Sequence, residues 1–424
     1  MNYEDALSYI HNSLKFGIKP GLERIRELMR LLGDVQESLK YVHIAGTNGK
    51  GSTATMISET LMAAGYKTGL FTSPYIVDFR ERIQIDGRFI EKDALSKAVS
   101  RVKTAAEKME TAGFEHPTEF ELITAAAFLC FYEAKCDYVV LETGLGGRLD
   151  STNIITAPEA CVITSISMDH MNVLGDTVEL IAREKAGIIK RGADTVVYPG
   201  NLPAVTAIMK ETADALGSRC FSPDMSRLSI ISEDIGGSVF EYDGLRLKTG
   251  LTGRHQIYNA VTALMAVLRL RARGANIDDD AIRKGFAAAR IPGRFEVIEG
   301  RPRIILDGGH NADGVKTLCR SLDVLNITRP TVIMGMLKDK AYEECIPMVA
   351  RRAGAFVAVD IDNPRALSRA DVKAIASRYT KAYEKKTEDA LAFAKSLTPG
   401  CGTLIICGSL YLVSQLREKI MNER

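Results

Sequence analysis

Seven consecutive residues, Gly46-Thr47-Asn48-Gly49-Lys50-Gly51-Ser52, stand between an apolar, strand-like run, Tyr41 to Ala45, and a helical pattern that reaches Ala64. Their types suit one task, the holding of a phosphate chain. Glycines let backbone N–H groups wrap the anion closely, Lys50 neutralises it, and Ser52 brings a hydroxyl near the accompanying cation. The helix that follows adds the favourable end of its dipole. The strict G-x-x-x-x-G-K-[ST] pattern is not met, because Gly46 stands only three residues before Gly49 and Gly51 separates Lys50 from Ser52. Strand, glycine turn and helix together still predict nucleotide binding.

A second candidate is Glu142, the last residue of the apolar run Tyr138 to Glu142. A carboxylate at the end of a buried strand is costly unless it meets a cation at the strand's C-terminal edge. The glycine cluster Gly144-Leu-Gly-Gly147 follows directly and would let backbone approach a reacting centre. On their own chemistry the other candidates read more plainly. Ser73 before Pro74 is a turn residue, His170 a loop histidine and Lys185 a solvated helix lysine. Asn259 is a polar position on a long helix, Arg294 a linker charge, and Asp307-Gly-Gly-His310 a loop that opens a helix.

The elements that must position these residues alternate. Strand-like runs at Tyr41 to Ala45, Thr68 to Thr72, Tyr138 to Glu142, Ala160 to Ser165 and Thr195 to Tyr198 are separated by 10- to 20-residue helical stretches. That rhythm predicts βαβ units and a buried parallel sheet. Between Arg227 and Thr249 it gives way to short alternating segments with Gly236-Gly237 and Asp243-Gly244, which predict small antiparallel strands. Helices then fit His255 to Arg273 and Asp278 to Ala289. After Pro292-Gly293 a second α/β unit follows, with strands at Arg303 to Leu306, Thr331 to Met334, Ala355 to Val359 and Thr403 to Cys407. Its helices start near His310, Lys340, Ser368 and Thr387. The predicted division is residues 1–293 and 294–424.

Composition limits what the chain does. Its 55 Lys and Arg against 53 Asp and Glu give a net charge of +2, which lacks the basic excess of a nucleic-acid binder. With 46% hydrophobic and 25% charged residues, large-scale disorder is excluded. The eight cysteines carry no C-x-x-C spacing and read as reduced core residues. The polar N-terminus and the lack of an apolar run near 18 residues predict a cytoplasmic protein with no membrane partner.

The phosphate loop with its Gly-Ser ending resembles that of the Mur ligase superfamily, in particular its folylpolyglutamate synthase/dihydrofolate synthase branch. Further motifs agree and fall in the family's order: Phe71-Thr-Ser-Pro-Tyr75, Glu81-Arg-Ile83, Thr118-Glu-Phe-Glu121, Glu142-Thr-Gly-Leu-Gly-Gly-Arg-Leu-Asp150, Ser167-Met-Asp-His170, Glu184-Lys-Ala-Gly187, Tyr258-Asn-Ala260, Pro292-Gly-Arg294, Leu306-Asp-Gly-Gly-His-Asn311 and Gly408-Ser-Leu-Tyr411. Tyr75 stands where the family often has histidine, and Gly309 where it often has alanine.

The resemblance implies an α/β fold: a P-loop ATPase domain with a parallel sheet and a small antiparallel insert, followed by a smaller Rossmann-like C-terminal domain. It implies an ADP-forming ligase that phosphorylates a carboxylate of dihydropteroate or of a folate and lets the amino group of L-glutamate displace phosphate. Gly46 to Ser52, Asn259, Arg294 and Asp307 match nucleotide-contacting positions. Ser73, Glu142 and His170 match the family's magnesium ligands, and Lys185 matches a lysine carbamylated in the superfamily. Thr118, Glu119, Phe120 and Glu121 match the segment linked to the pterin-bearing substrate, and His310 and Ser409 match residues of glutamate binding or transfer. ATP and Mg²⁺ are the implied cofactors, with a monovalent cation and carbamylated Lys185 as further members. The expected partners are small molecules met by a monomer, without nucleic acid. Two other readings compete. A cell-wall precursor ligase usually carries an added N-terminal domain, whereas only two short helices are predicted before Gly46 here. A P-loop ATPase would form no amide product.

Overall fold

The computed structural model describes residues 1–17 and 19–423. They divide into two compact units. The first comprises Met1–Tyr75, Arg80–Arg227 and Tyr258–Ala288, and the second Ile76–Phe79, Leu228–Ile257 and the chain from Ala289 onward.

The first unit is built on eight strands: β1 (Tyr41–Ala45), β2 (Thr68–Phe71), β3 (Ile83–Ile85), β4 (Arg88–Phe89), β5 (Tyr138–Glu142), β6 (Ala160–Ile163), β7 (Asp194–Val197) and β8 (Arg219–Phe221). Their order is β4-β3-β2-β5-β1-β6-β7-β8. Strands β2, β5, β1, β6, β7 and β8 are parallel, while β3 and β4 add an antiparallel edge that the sequence pattern does not announce. The central strands are buried along their whole length, which is why they read as unbroken apolar runs.

Register decides what meets at the C-terminal edge. Phe71 pairs with Leu141, Ile44 with Glu142, and Ala45 with Ile163. The loops after β2, β5, β1 and β6 therefore leave the sheet side by side, where ligands bind in open α/β sheets. The helix Lys50–Ala63 returns from the glycine loop and is followed by Gly65 in the left-handed region, φ 88°. The helix Asp279–Ala288 lies tightly on it, since a Cβ on Gly285 would stand 2.5 Å from Thr60 Cα.

The second unit holds two sheets. Strands β9 (Leu228–Asp234), β10 (Gly237–Tyr242) and β11 (Leu245–Thr249) form the antiparallel meander expected from the hairpin signals. Asp243 and Gly244, at φ 50° and 81°, make the second turn. Strands β12 (Glu296–Ile298), β13 (Arg303–Asp307), β14 (Thr331–Met334), β15 (Ala355–Val359), β16 (Ala382–Lys385) and β17 (Thr403–Cys407) follow, in the order β12-β13-β17-β14-β15-β16. Only β12 runs antiparallel. Apolar clusters around Phe356 and Val332 on one side and Leu404 and Val413 on the other make its core. All eight cysteines are free. Among the described residues no helix is long and apolar enough to cross a membrane.

Candidate active site

The phosphate loop is held by its neighbours before any ligand arrives. Thr47 N donates to Ser165 O at 2.7 Å, Thr47 Oγ1 to Ser167 O at 3.1 Å, and Asn48 pairs with Ser165 as an isolated bridge. Gly46 must be glycine because a Cβ would collide with the Thr164 side chain. Gly49 has φ 87° and packs on the next candidate, with its would-be Cβ 2.5 Å from Asn259 Oδ1. Asn259, read from its helix only as a polar position, is 3% exposed and lies against the loop.

Lys50 opens the helix and reaches across to β5, where its Nζ lies 3.8 Å from Glu142 Oε1. Glu142 is 4% exposed and accepts from Ser73 N at 3.3 Å through Oε2. The sheet register explains this meeting, since Phe71 and Leu141 are neighbours and both chains continue in the same direction.

Ser73, Ser52 and Glu142 offer a hydroxyl and carboxylate oxygen set, the donor chemistry that Mg²⁺ prefers. Lys50 beside Glu142 marks the place where phosphate charge would be shared, so these residues fit the ion. His170 is placed differently. It precedes the short helix Met171–Leu174 with φ 51°, its side chain is half exposed, and Nε2 lies 4.0 Å from Asp169 Oδ2. Among the described residues no group of three or more His, Cys, Asp and Glu side chains is arranged to hold a metal ion.

Lys185 departs most from its plain reading as a solvated helix lysine. It is 4% exposed, and Nζ donates to Gly46 O at 2.8 Å. Burial, reinforced by the charge of Lys50 and opposed by Asp169 and Asp150, lowers its pKa to about 7. The glycine cluster accounts for its access. A Cβ on Gly147 would stand 2.7 Å from Glu184 O and 2.9 Å from Lys185 Cα, and one on Gly144 would stand 2.5 Å from Phe120 Cζ. These glycines therefore make room for the Lys185 helix and for the Phe120 ring.

The Thr118 to Glu121 segment divides its labour. Thr118 and Glu121 form a capping box on the helix Glu119–Glu133, and Glu121, 2% exposed, also accepts from Arg24 Nε at 3.1 Å. Glu119 Oε1 lies 3.2 Å from His11 Nδ1. Phe120 packs obliquely on Phe71, with ring centroids 5.9 Å apart.

Sequence reasoning overlooked a supporting network. Asp150 accepts from Leu145 N at 2.8 Å and from Thr152 Oγ1 at 2.6 Å, and Thr152 Oγ1 lies 2.8 Å from Nε2 of fully buried His43. Asn153 Nδ2 donates to Arg148 O and Gly187 O, both at 3.0 Å, tying the glycine loop to the Lys185 helix. Partners 109 positions apart leave no spacing signal. Burial pushes the His43 pKa down to about 3, so the ring is neutral.

In the second unit, Asp307 ends β13 and accepts from Gly309 N at 2.9 Å and from Phe295 N at 3.0 Å. Burial raises its pKa, while those N–H groups and the Arg294 charge oppose the rise. His310 Nδ1 lies 3.0 Å from Gly308 O. The residue that caps the following helix, Ala312–Val324, is Asn311, whose Oδ1 accepts from Gly314 N at 2.8 Å. Ser409, 2% exposed, caps the helix Leu410–Asn422 through Tyr411 N at 3.2 Å.

A phosphate loop beside a strand-end carboxylate, on a sheet of this order, occurs in the same chain as a second α/β unit, and the family models agree. The Mur ligase middle domain matches residues 88–267, and the Mur ligase, glutamate ligase domain matches residues 293–410. The class is therefore that of Mur-type ligases. The dihydrofolate synthase/folylpolyglutamate synthase of Bacillus subtilis is 38% identical over 428 residues, covering 99% of both chains. The folylpolyglutamate synthase of Lacticaseibacillus casei is 36% identical and likewise covers 99% of each. Among solved structures, Escherichia coli FolC in complex with DHPP and ADP superposes with a TM-score of 0.88 at 30% identity, covering 100% of this chain and 99% of that one. The chain belongs to the dihydrofolate synthase/folylpolyglutamate synthase family.

Proposed function

We propose that this protein is an ATP-dependent, ADP-forming ligase that joins L-glutamate to dihydropteroate, and to tetrahydrofolate and its glutamates, through an acyl phosphate. The observation that carries the reading is the meeting of Lys50, Glu142 and Ser73 beside the glycine loop, in a chain whose full-length relatives bear these names. Lys50 and the N–H groups of Gly49 to Ser52 hold the β- and γ-phosphates. Ser73 and Glu142 would hold Mg²⁺, with His170 serving a second ion; the metal supplies charge neutralisation as the carboxylate approaches the γ-phosphate. Attack of that carboxylate forms the acyl phosphate and releases ADP. The glutamate amino group then forms the amide, and phosphate leaves.

Lys185, with a pKa near 7, is uncharged in a large fraction of molecules at neutral pH. Its amine nitrogen can add to CO₂ and lose a proton, which gives a carbamate anion that would support the metal. Phe120, flanked by Thr118, Glu119 and Glu121, offers a flat face to the pterin-bearing acceptor. Arg294 and Asp307 supply further ATP contacts, and His310 and Ser409 serve glutamate. The eight free cysteines support a cytoplasmic setting, and we take the working form as a monomer. ADP release measured with each component omitted in turn tests the proposal. Turnover should require ATP, an acceptor and glutamate together; steady ADP release without acceptor and glutamate would make the protein an ATPase instead.

A further inference from the structure

The motif Glu81-Arg82-Ile83 takes no part in the chemistry above. Yet Arg82 is the one arginine among the described residues that is buried, at 8% exposure. A guanidinium is costly to bury unless its partners are well placed. Arg82 Nη1 donates to Ser73 Oγ at 2.9 Å, and its guanidinium lies over the Tyr75 ring, 5.2 Å from the centroid. The backbone repeats the link: Thr72 N donates to Arg82 O at 3.1 Å, and Thr72 Oγ1 to Glu81 O at 3.2 Å.

Arginine donates and never accepts, so this bond takes one lone pair of the Ser73 hydroxyl and leaves the other for a further partner. Ser73 also holds Glu142 through its own N–H. Ser73 thus connects two members of the candidate cation site, its own hydroxyl and Glu142, and Arg82 fixes the direction of the hydroxyl. We propose that Arg82 is a positioning residue that aims the remaining lone pair of Ser73 at Mg²⁺ and so sets how strongly the metal adds to nucleotide binding. This rests on the reading of Ser73 and Glu142 as metal ligands.

The test is the affinity for a fluorescent ADP analogue, measured in EDTA and again in saturating Mg²⁺. The proteins compared are the wild type, Arg82→Met, Arg82→Lys, Ser73→Ala and the Arg82→Met/Ser73→Ala double variant. Loss of a partner that orients a metal ligand typically weakens metal binding by about 10- to 100-fold. Arg82→Met should therefore lose the Mg²⁺ enhancement to the extent that Ser73→Ala does, with metal-free affinity within about twofold of wild type. The double variant should be no worse than either single one. Arg82→Lys, which keeps a donor and the charge and is the gentler change for folding, should keep an intermediate enhancement. A wild-type enhancement in Arg82→Met, an additive loss in the double variant, or an equal fall with and without metal would each overturn the proposal. If Mg²⁺ adds nothing to ADP binding in the wild type, the metal reading of Ser73 and Glu142 fails first.

Discussion

In the first unit the candidate residues bond to one another's side chains, Lys50 with Glu142 across a long stretch of sequence and Arg82 with Ser73 nine positions away. In the second unit their bonds go to nearby backbone: Asp307 takes the N–H groups of Phe295 and Gly309, His310 meets Gly308 O, and Ser409 takes Tyr411 N. The proposed nucleotide side is thus a set of side-chain contacts that link the helix after the glycine loop with the ends of β2 and β5. The proposed glutamate side is a set of loops whose shape depends on the same residues. Substitutions in the first should strike chemistry with little change of fold, whereas those in the second should disturb local conformation as well.

The largest effect should come from Lys50→Ala, with kcat/KM falling by about 10³ or more while the melting temperature stays within a few degrees of wild type; Glu142→Gln should lose about 10²–10³. Wild-type-like rates in either would remove the charge-pair side of the comparison. Next is the dependence on CO₂. Because only uncharged Lys185 adds CO₂, depleting bicarbonate should slow turnover more at pH 6.5 than at pH 8, on either side of its value of about 7. A Lys185→Ala variant should be slow and indifferent to bicarbonate. Equal bicarbonate response at both pH values would argue against the carbamate.

His310→Ala should raise the KM for glutamate by about tenfold and leave that for ATP near wild type, which initial-rate kinetics can separate. A selective loss of ATP affinity would move His310 to the nucleotide side. Each unit also holds a neutral histidine: fully buried His43, with a pKa near 3, and partly buried His255, lowered to about 4 by desolvation and the Arg294 charge. The unfolded state takes up these protons first, so stability should fall as pH drops below about 6.5. For His43 the loss reaches about 2 kcal/mol by pH 5. Urea midpoints should show a flatter acid slope in His43→Gln, and an unchanged slope would mean the ring is not held neutral. The smallest effect is Ser409→Ala, which should cost about 1 kcal/mol as a lost helix cap and be largely restored by Ser409→Asp. A glutamate KM that stays high in Ser409→Asp would show a role beyond capping.

The buried parallel strands were the most legible part of the fold. The bounds of β1, β5, β14, β15 and β17 are those expected, because strands covered on both faces must be apolar throughout. Strands β3, β4, β8, β12 and β16 were missed. They are short edge or near-edge pieces, and Ala-Tyr-Glu-Lys in β16 carries no alternation strong enough to read. In the site, the phosphate loop and Glu142 were visible because glycine spacing and a strand-end charge are local signals. Lys185 was legible only through family resemblance, since its burial depends on Gly147 letting another loop approach. The roles of Arg82, Asp150 and His43 were hidden, because their partners are fixed by sheet register and loop closure rather than by spacing.

The measurement that bears most directly on the account is mass spectrometry of the products formed by the pure protein from MgATP and L-glutamate with either dihydropteroate or tetrahydrofolate, run beside Lys50→Ala. The account predicts a glutamyl adduct of each acceptor in step with ADP release, and neither in the variant. ADP formed without any glutamyl product from either acceptor would contradict it.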